Sequence, residues 1–282
     1  MGNQPFYLNT NVNTLSLVNN LNQTTSLLNT SLERLSTFKK INRASDGAAA
    51  LSISNQLQAQ IQGFDSVKTN IQSGSSLLGI AEAGVSVINE AVQSIRELGV
   101  QAANGTVTDF SAFQASLTNG INEINRVAAS TQFNGKNLLD GSIGPTLNIQ
   151  TGTGSGANDK LNIASALGNT NATSIGITQA TVASNADAQT LITQADTALS
   201  NLGAKLANIG GFQNSLSSSL DYANTAQINL TASQQSLIGT DIASETARVS
   251  LFQLQQQSTA AVIAQANSQS SRVFSILFKS FE

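Results

Sequence analysis

The chain has 282 residues and a formal net charge of −3, with 40% apolar and only 10% charged residues and no Cys, His or Trp. The missing Cys excludes disulfides and thiolate chemistry, and the absence of a basic run excludes a nucleic-acid groove, where several phosphates must be neutralised. No run of about 18 apolar residues could span a bilayer, and the opening MGNQPFY lacks the basic and apolar regions of a secretory signal.

An N-terminal helix is marked along one face by Leu15, Val18, Leu21, Leu28, Leu32 and Leu35. Its other positions are mostly Asn, Gln, Ser and Thr, so the helix buries too little apolar area to offset its ordering entropy alone. A charged cluster follows: Glu33, Arg34, Lys39, Lys40, Arg43 and Asp46. Of these, Arg34, Arg43 and Asp46 are the candidate contacts at a junction between two domains.

The strongest periodic signal then begins. Phe64, Ile71, Leu78, Val85 and Val92 repeat every seventh residue, with Val67, Gly74, Ala81, Ile88 and Ile95 as the companion row. This predicts a helix from about Asp46 to Ala103 with one apolar seam. After the Asn104-Gly105 break, Phe113, Leu117, Ile121, Ile124 and Val127 predict a second helix folded back antiparallel on the first.

From Gly141 to about Ala186 the composition shifts to Gly, Thr, Asn and Ser. Leu147-Asn148-Ile149 and Leu161-Asn162-Ile163 flank a glycine-rich turn, which predicts a small β-hairpin capping one end of the bundle. Gly152, Gly154 and Gly156 are read as that turn rather than as a phosphate loop, because no strand–glycine–helix unit surrounds them.

The heptad spacing then returns with Ala195, Leu202, Ile209, Leu216, Ala223, Leu230 and Leu237, accompanied by Leu191, Ala198, Phe212 and Ala226. The helix they predict is roughly 75 Å long at about 1.5 Å per residue. Leu251, Leu254, Val262, Val273 and Leu277 mark a final helix as polar as the first. The fold class is therefore mainly α, a long antiparallel helical bundle or coiled coil with a small β-hairpin region and paired N- and C-terminal helices. The expected domains are residues 1–45 with 240–282, and residues 46–239 with an insertion at about 141–186.

No enzyme is expected, since Asp and Glu are scattered along helices without a clustered pair. No cofactor or metal is expected either. A surface carried by amides and hydroxyls repels its own copies weakly and suits close packing of identical subunits.

Several runs carry a family resemblance. Leu32-Glu33-Arg34-Leu35-Ser36 through Ile41-Asn42-Arg43-Ala44-Ser45-Asp46-Gly47-Ala48-Ala49 resembles the bacterial flagellin pattern ERLSSG-x-RINSA-x-DDAA. Arg96 to Asn104 resembles RELAVQSAN, Asn122 to Val127 resembles NEIDRVS, and Thr131 to Leu139 carries TQFNG. Gln255 to Asn267 is similar to the LQQAG…VLAQAN segment.

The resemblance implies a subunit that polymerises into the flagellar filament. The terminal helices would form a coiled-coil lining and the central bundle an outer tube. Export would run unfolded through the flagellar type III apparatus, and copies would add at the distal tip. Its implied partners are itself, an export chaperone, cap and junction proteins, and the vertebrate flagellin-sensing toll-like receptor. The insertion is too short for large outer domains. At the candidate receptor-facing positions, Gln93, Arg96, Glu97 and Leu98 match, whereas Ser94 and Ser116 stand where receptor-active relatives carry Arg and Glu; weak activation is the expectation.

Two departures stand out: Phe38 sits where the family pattern has Gly, and the chain ends on Phe274, Phe278, Phe281 and Glu282. A hook–filament junction protein and a surface homologue that captures polysaccharide through its hairpin are the alternatives.

Overall fold

The computed structural model describes residues 12–279, with side chains described as far as Arg272 apart from Ser270. Its elements in chain order are α1 (Val12–Thr37), α2 (Ala44–Ala102), α3 (Ser111–Ser130), β1 (Gln132–Phe133), β2 (Lys136–Asn137), β3 (Asn148–Gln150), β4 (Lys160–Asn162), α4 (Ala172–Ile175), α5 (Asn185–Ile238) and α6 (Ile242–Lys279). The chain divides into two compact units, one of residues Ala59–Leu230 and one of the residues before and after them.

In the unit Ala59–Leu230 both heptad rows of α2 are buried, from Phe64 and Val67 through Ile71, Leu78, Ala81, Val85, Ile88 and Val92 to Ile95. They meet Leu191, Ala195, Ala198, Leu202, Ile209, Leu216 and Ala223 of α5 in one core. Polar bridges flank this seam and fix its antiparallel direction: Arg96 to Asp196 at 2.6 Å, Gln213 Nε2 to Glu82 at 2.8 Å, and Gln227 Nε2 to Asp65 at 2.8 Å. By length and composition α2 could also cross a membrane, but its apolar rows are taken up by this core.

Local chemistry sets the helix ends. Asn104 Oδ1 accepts from Thr106 N and turns the chain after α2, while Asp109 Oδ1 accepts from Ser111 N at the start of α3. Asn185 Nδ2 donates to the carbonyls of Ala102 and Asn104, so the start of α5 caps the end of α2.

A third layer lies on α2, and glycines let it in. Ile95 meets Gly120 of α3, Gly84 meets Thr131 and Leu139, Gly74 meets Ile149 of β3, and Gly63 meets Thr153 in the turn after β3. On α2 these positions recur about every three turns and so share one face. The hairpin β3–β4 pairs Ile149 with Leu161, as the alternation predicts. It does not cap the bundle, however; it lies against α2, with Ile149 over Gly74 and Thr153 over Gly63, where the helix has no Cβ to hold it off.

A second hairpin, β1–β2, turns on Asn134-Gly135, both at positive φ (49° and 76°). That is the demand of the tightest hairpin turns, and Asn-Gly is their usual answer. The segment 163–182 also enters the core through Ile163, Leu167, Ile175, Ile177 and Val182. Lys205 ties part of it down by donating to the Leu167 carbonyl at 3.1 Å, and burial pushes this lysine's pKa down.

The glycine face gives a paired expectation. A Cβ on Gly84 would stand 2.6 Å from Thr131 Oγ1 and 2.8 Å from Leu139 Cδ1, and both neighbours are held, Thr131 by the Val127 carbonyl at 2.7 Å and Leu139 by complete burial. Gly84→Ala therefore destabilises by about 1 to 3 kcal/mol despite its better helix propensity. Gly203 has open space around its Cβ position, and Gly203→Ala stabilises by up to about 1 kcal/mol. Thermal melting of the two variants should move in opposite directions.

Candidate assembly surface

Helices α1 and α6 pack along one another antiparallel, with Gln256 Nε2 donating to Thr25 Oγ1 at 3.1 Å. On α1 the covered stripe is Thr14, Leu17, Leu21, Thr24, Leu28, Ser31 and Leu35; on α6 it is Glu245, Val249, Phe252, Gln256, Thr259 and Ile263. Both sets step by alternating threes and fours, the coiled-coil pattern. Polar residues interrupt each of them, so the pair is thinly apolar where its own halves meet.

The expected apolar face of the terminal helices is divided by this packing. Leu28 is buried, and Leu21 and Leu35 are half-buried against α6. Leu15, Val18 and Leu32 of α1 and Leu251, Leu254 and Val262 of α6 point outward, with Leu254 64% exposed. The side chains of Val273 and Leu277 lie outside those described, as do those of Phe274, Phe278, Phe281 and Glu282. Large apolar side chains of both helices thus remain in solvent after the pair has packed.

Between α1 and α2 the chain runs beside the segment between α5 and α6. Lys39 bridges Gly239, Lys40 N donates to the Ile238 carbonyl at 2.7 Å, and Thr240 N donates to the Phe38 carbonyl at 3.1 Å. Of the candidate junction residues, Arg43 forms a forked ion pair with Glu33, Nη2 lying 2.9 Å from Oε2 and 3.1 Å from Oε1. Asp46 accepts from the backbone N–H groups of Asn42 and Arg43 at 3.0 and 2.9 Å. Those two bonds hold its carboxyl below the usual carboxylate range, with Arg34 and Arg43 adding charge in the same direction. Helix α2 is interrupted just beyond, at Gly47.

Phe38 explains what a glycine would do there. It follows the last residue of α1 with φ at 56°, the left-handed conformation in which Cβ crowds its own backbone, and its ring is 57% exposed. Little packing is lost without the ring, so Phe38→Gly stabilises the chain by about 1 kcal/mol, the relieved strain exceeding the glycine's added entropy in the unfolded state. A higher midpoint in chemical denaturation checks this, and a lower one contradicts it.

The candidate receptor-facing positions lie on α2 and α3. Gln93, Ser94, Arg96, Glu97 and Ser116 are exposed and Leu98 is half-buried against the core. Arg96 is engaged by Asp196 of α5, Ser94 Oγ donates to the Glu90 carbonyl at 3.1 Å, and Glu97 accepts from Gln101 at 3.3 Å.

Sequence reasoning missed Glu245. It is 4% exposed on the inner face of α6, and the signal that could have found it is its place four residues before Val249 in the alternating spacing.

Comparison with known proteins follows this layout. Residues 8–143 match the family model for the bacterial flagellin N-terminal helical region, and residues 192–277 match that for the C-terminal helical region. The chain is 31% identical to flagellin FlaB2 of Treponema pallidum and 30% identical to a flagellin of Bacillus subtilis, in each case over 96% of this chain and 99% of the relative. It is 32% identical to the flagellar filament 30.7 kDa core protein of Treponema maltophilum, over 87% of this chain and 90% of that one. Among solved structures, a Vibrio parahaemolyticus chain assigned to the flagellar hook-associated proteins is similar in fold, with a TM-score of 0.57 at 15% identity over 69% of this chain and 100% of that one.

Proposed function

The chain belongs to the bacterial flagellin family, and from that premise we propose that it is a minimal structural subunit that polymerises into the flagellar filament for swimming motility. The observation that carries this reading is the outward apolar face of α1 and α6, with Leu15, Val18, Leu32, Leu251, Leu254 and Val262 left to solvent by the chain's own packing. Neighbouring copies would cover it, and the terminal helices would then form the inner layer of the tube. The filament of the family is an extracellular structure. Delivery there would run through the flagellar type III apparatus with the chain unfolded, helped by an export chaperone and completed by cap and junction proteins.

Purified monomer added to short filament seeds is expected to elongate them without limit, as seen by negative-stain microscopy. Failure to elongate, with a copy number of a few per filament in cells, would favour a hook–filament junction role instead.

Recognition by the vertebrate receptor is proposed to be weak. Ser94 and Ser116 supply no charge to that patch, and Arg96 is already engaged by Asp196. A charge-assisted contact is worth roughly 1.5 to 3 kcal/mol. A reporter assay should show a gain for Ser94→Arg with Ser116→Glu over the unaltered monomer; strong signalling by the unaltered monomer would refute the assignment.

A further inference from the structure

Phe38 stands in a conformation that strains the chain, and nothing in the monomer offsets the strain. Its φ of 56° is the left-handed region, where Cβ crowds the backbone and a glycine carries no such penalty. Its ring is 57% exposed, so little apolar surface is buried in exchange. The backbone around it is pinned. Thr240 N donates to the Phe38 carbonyl at 3.1 Å, Lys40 N to the Ile238 carbonyl at 2.7 Å, and Asn42 Nδ2 to the Lys39 carbonyl at 3.0 Å. The ring therefore projects from a fixed base with only its side-chain torsions free, so covering it orders little. A large aromatic in a strained, held and solvent-facing place has the make-up of an anchor for a partner.

The chain itself carries a surface that fits this ring. Leu251 and Leu254 of α6 are 51% and 64% exposed with α1 in place. They lie about 14 to 18 Å along α6 from its first residue, Ile242, at about 1.5 Å per residue. Phe38 is tied at the Ile242 end, since its carbonyl accepts from Thr240, and from there its ring cannot reach these leucines in the same chain. A second copy displaced along the helix pair brings the two together. Resting on the filament reading above, we propose that Phe38 is an assembly anchor whose ring packs on the outward Leu251 and Leu254 of a neighbouring copy. Ring and leucines are different surfaces of one chain, so the contact is heterologous and can repeat without closing, as a filament requires.

The test is seeded elongation, with the critical concentration read by sedimentation beside melting of the monomer. Phe38→Ala keeps the crowded Cβ and loses the ring, whereas Phe38→Gly loses both. Each is expected to raise the critical concentration about tenfold or more, although the Phe38→Gly monomer is the more stable one. Phe38→Leu, which keeps an apolar side chain, should lose less than either. Leu254→Ser should also raise the critical concentration, and combined with Phe38→Ala it should add little, because both break one contact. A copy with p-benzoylphenylalanine at position 38, assembled with excess unaltered chain, should crosslink on illumination to α6 of a second copy around Leu251 and Leu254. If the unaltered chain elongates seeds and both Phe38→Ala and Phe38→Gly do so at its critical concentration, the anchor is overturned and the filament reading stands. Crosslinks within one chain only, or to another element of the neighbour, also overturn the anchor. An unaltered chain that elongates no seeds overturns the filament reading, and the anchor with it.

Discussion

Leu28→Asp is expected to abolish filament elongation while leaving the unit Ala59–Leu230 folded. Leu28 is 9% exposed and is the one leucine of α1 buried outright against α6. A carboxylate there must either lose its water or separate the helices, and burying an unpaired charge costs several kcal/mol. The seam residues beside it, Ser31 on α1 and Gln256 on α6, are neutral and give it no cation to pair with. Neither α1 nor α6 has the apolar area to stand alone, so both should fray together. Far-UV ellipticity should fall by the share of these two helices, while the melting transition of the remaining bundle keeps its midpoint. Sedimentation after seeding should find the variant wholly in the supernatant. Normal filaments from it would show that the α1–α6 seam is not part of the assembled state.

The largest loss of stability in the bundle is expected from Leu202→Ala. Leu202 is fully buried in the middle of the α5 heptad row, between Ala195 and Ile209 and facing the rows of α2. Long helices locked by several layers cannot collapse into the void, so the cost lies in the range of about 2 to 5 kcal/mol. At roughly 2 to 4 °C per kcal/mol for a domain of this size, the midpoint should fall by about 10 °C. Ile228→Ala is the control: Ile228 is on the same helix but 68% exposed, and its loss should change stability by less than about 0.5 kcal/mol. Similar effects at both positions would show that the heptad row does not define the core.

Helical periodicity alone determined much of this molecule. An apolar residue every seventh position can satisfy only a helix buried along one stripe, so α2 and α5 and the residues in their seam were legible from Phe64 to Ala223. The Asn104-Gly105 break and the alternation around Ile149 and Leu161 fixed the antiparallel return and the hairpin, and the runs from Leu32 to Ala49 and from Thr131 to Leu139 carried the family. Tertiary structure decided what periodicity leaves open. In α1 and α6 the apolar residues are spread around an amide-rich surface, and sequence spacing does not say which stripe turns inward; packing assigned Leu28 and Val249 to the pair and left Leu15, Leu32 and Leu254 outside. The glycines at 63, 74 and 84 read as flaws in a helix until the third layer is laid over them, since a missing side chain has meaning only with its neighbour in place. Phe38 and Glu245 belong to the same class. One is strained by the direction in which the chain leaves α1, and the other is buried by residues distant in sequence, and neither backbone direction nor burial by distant residues is written in a residue's own identity.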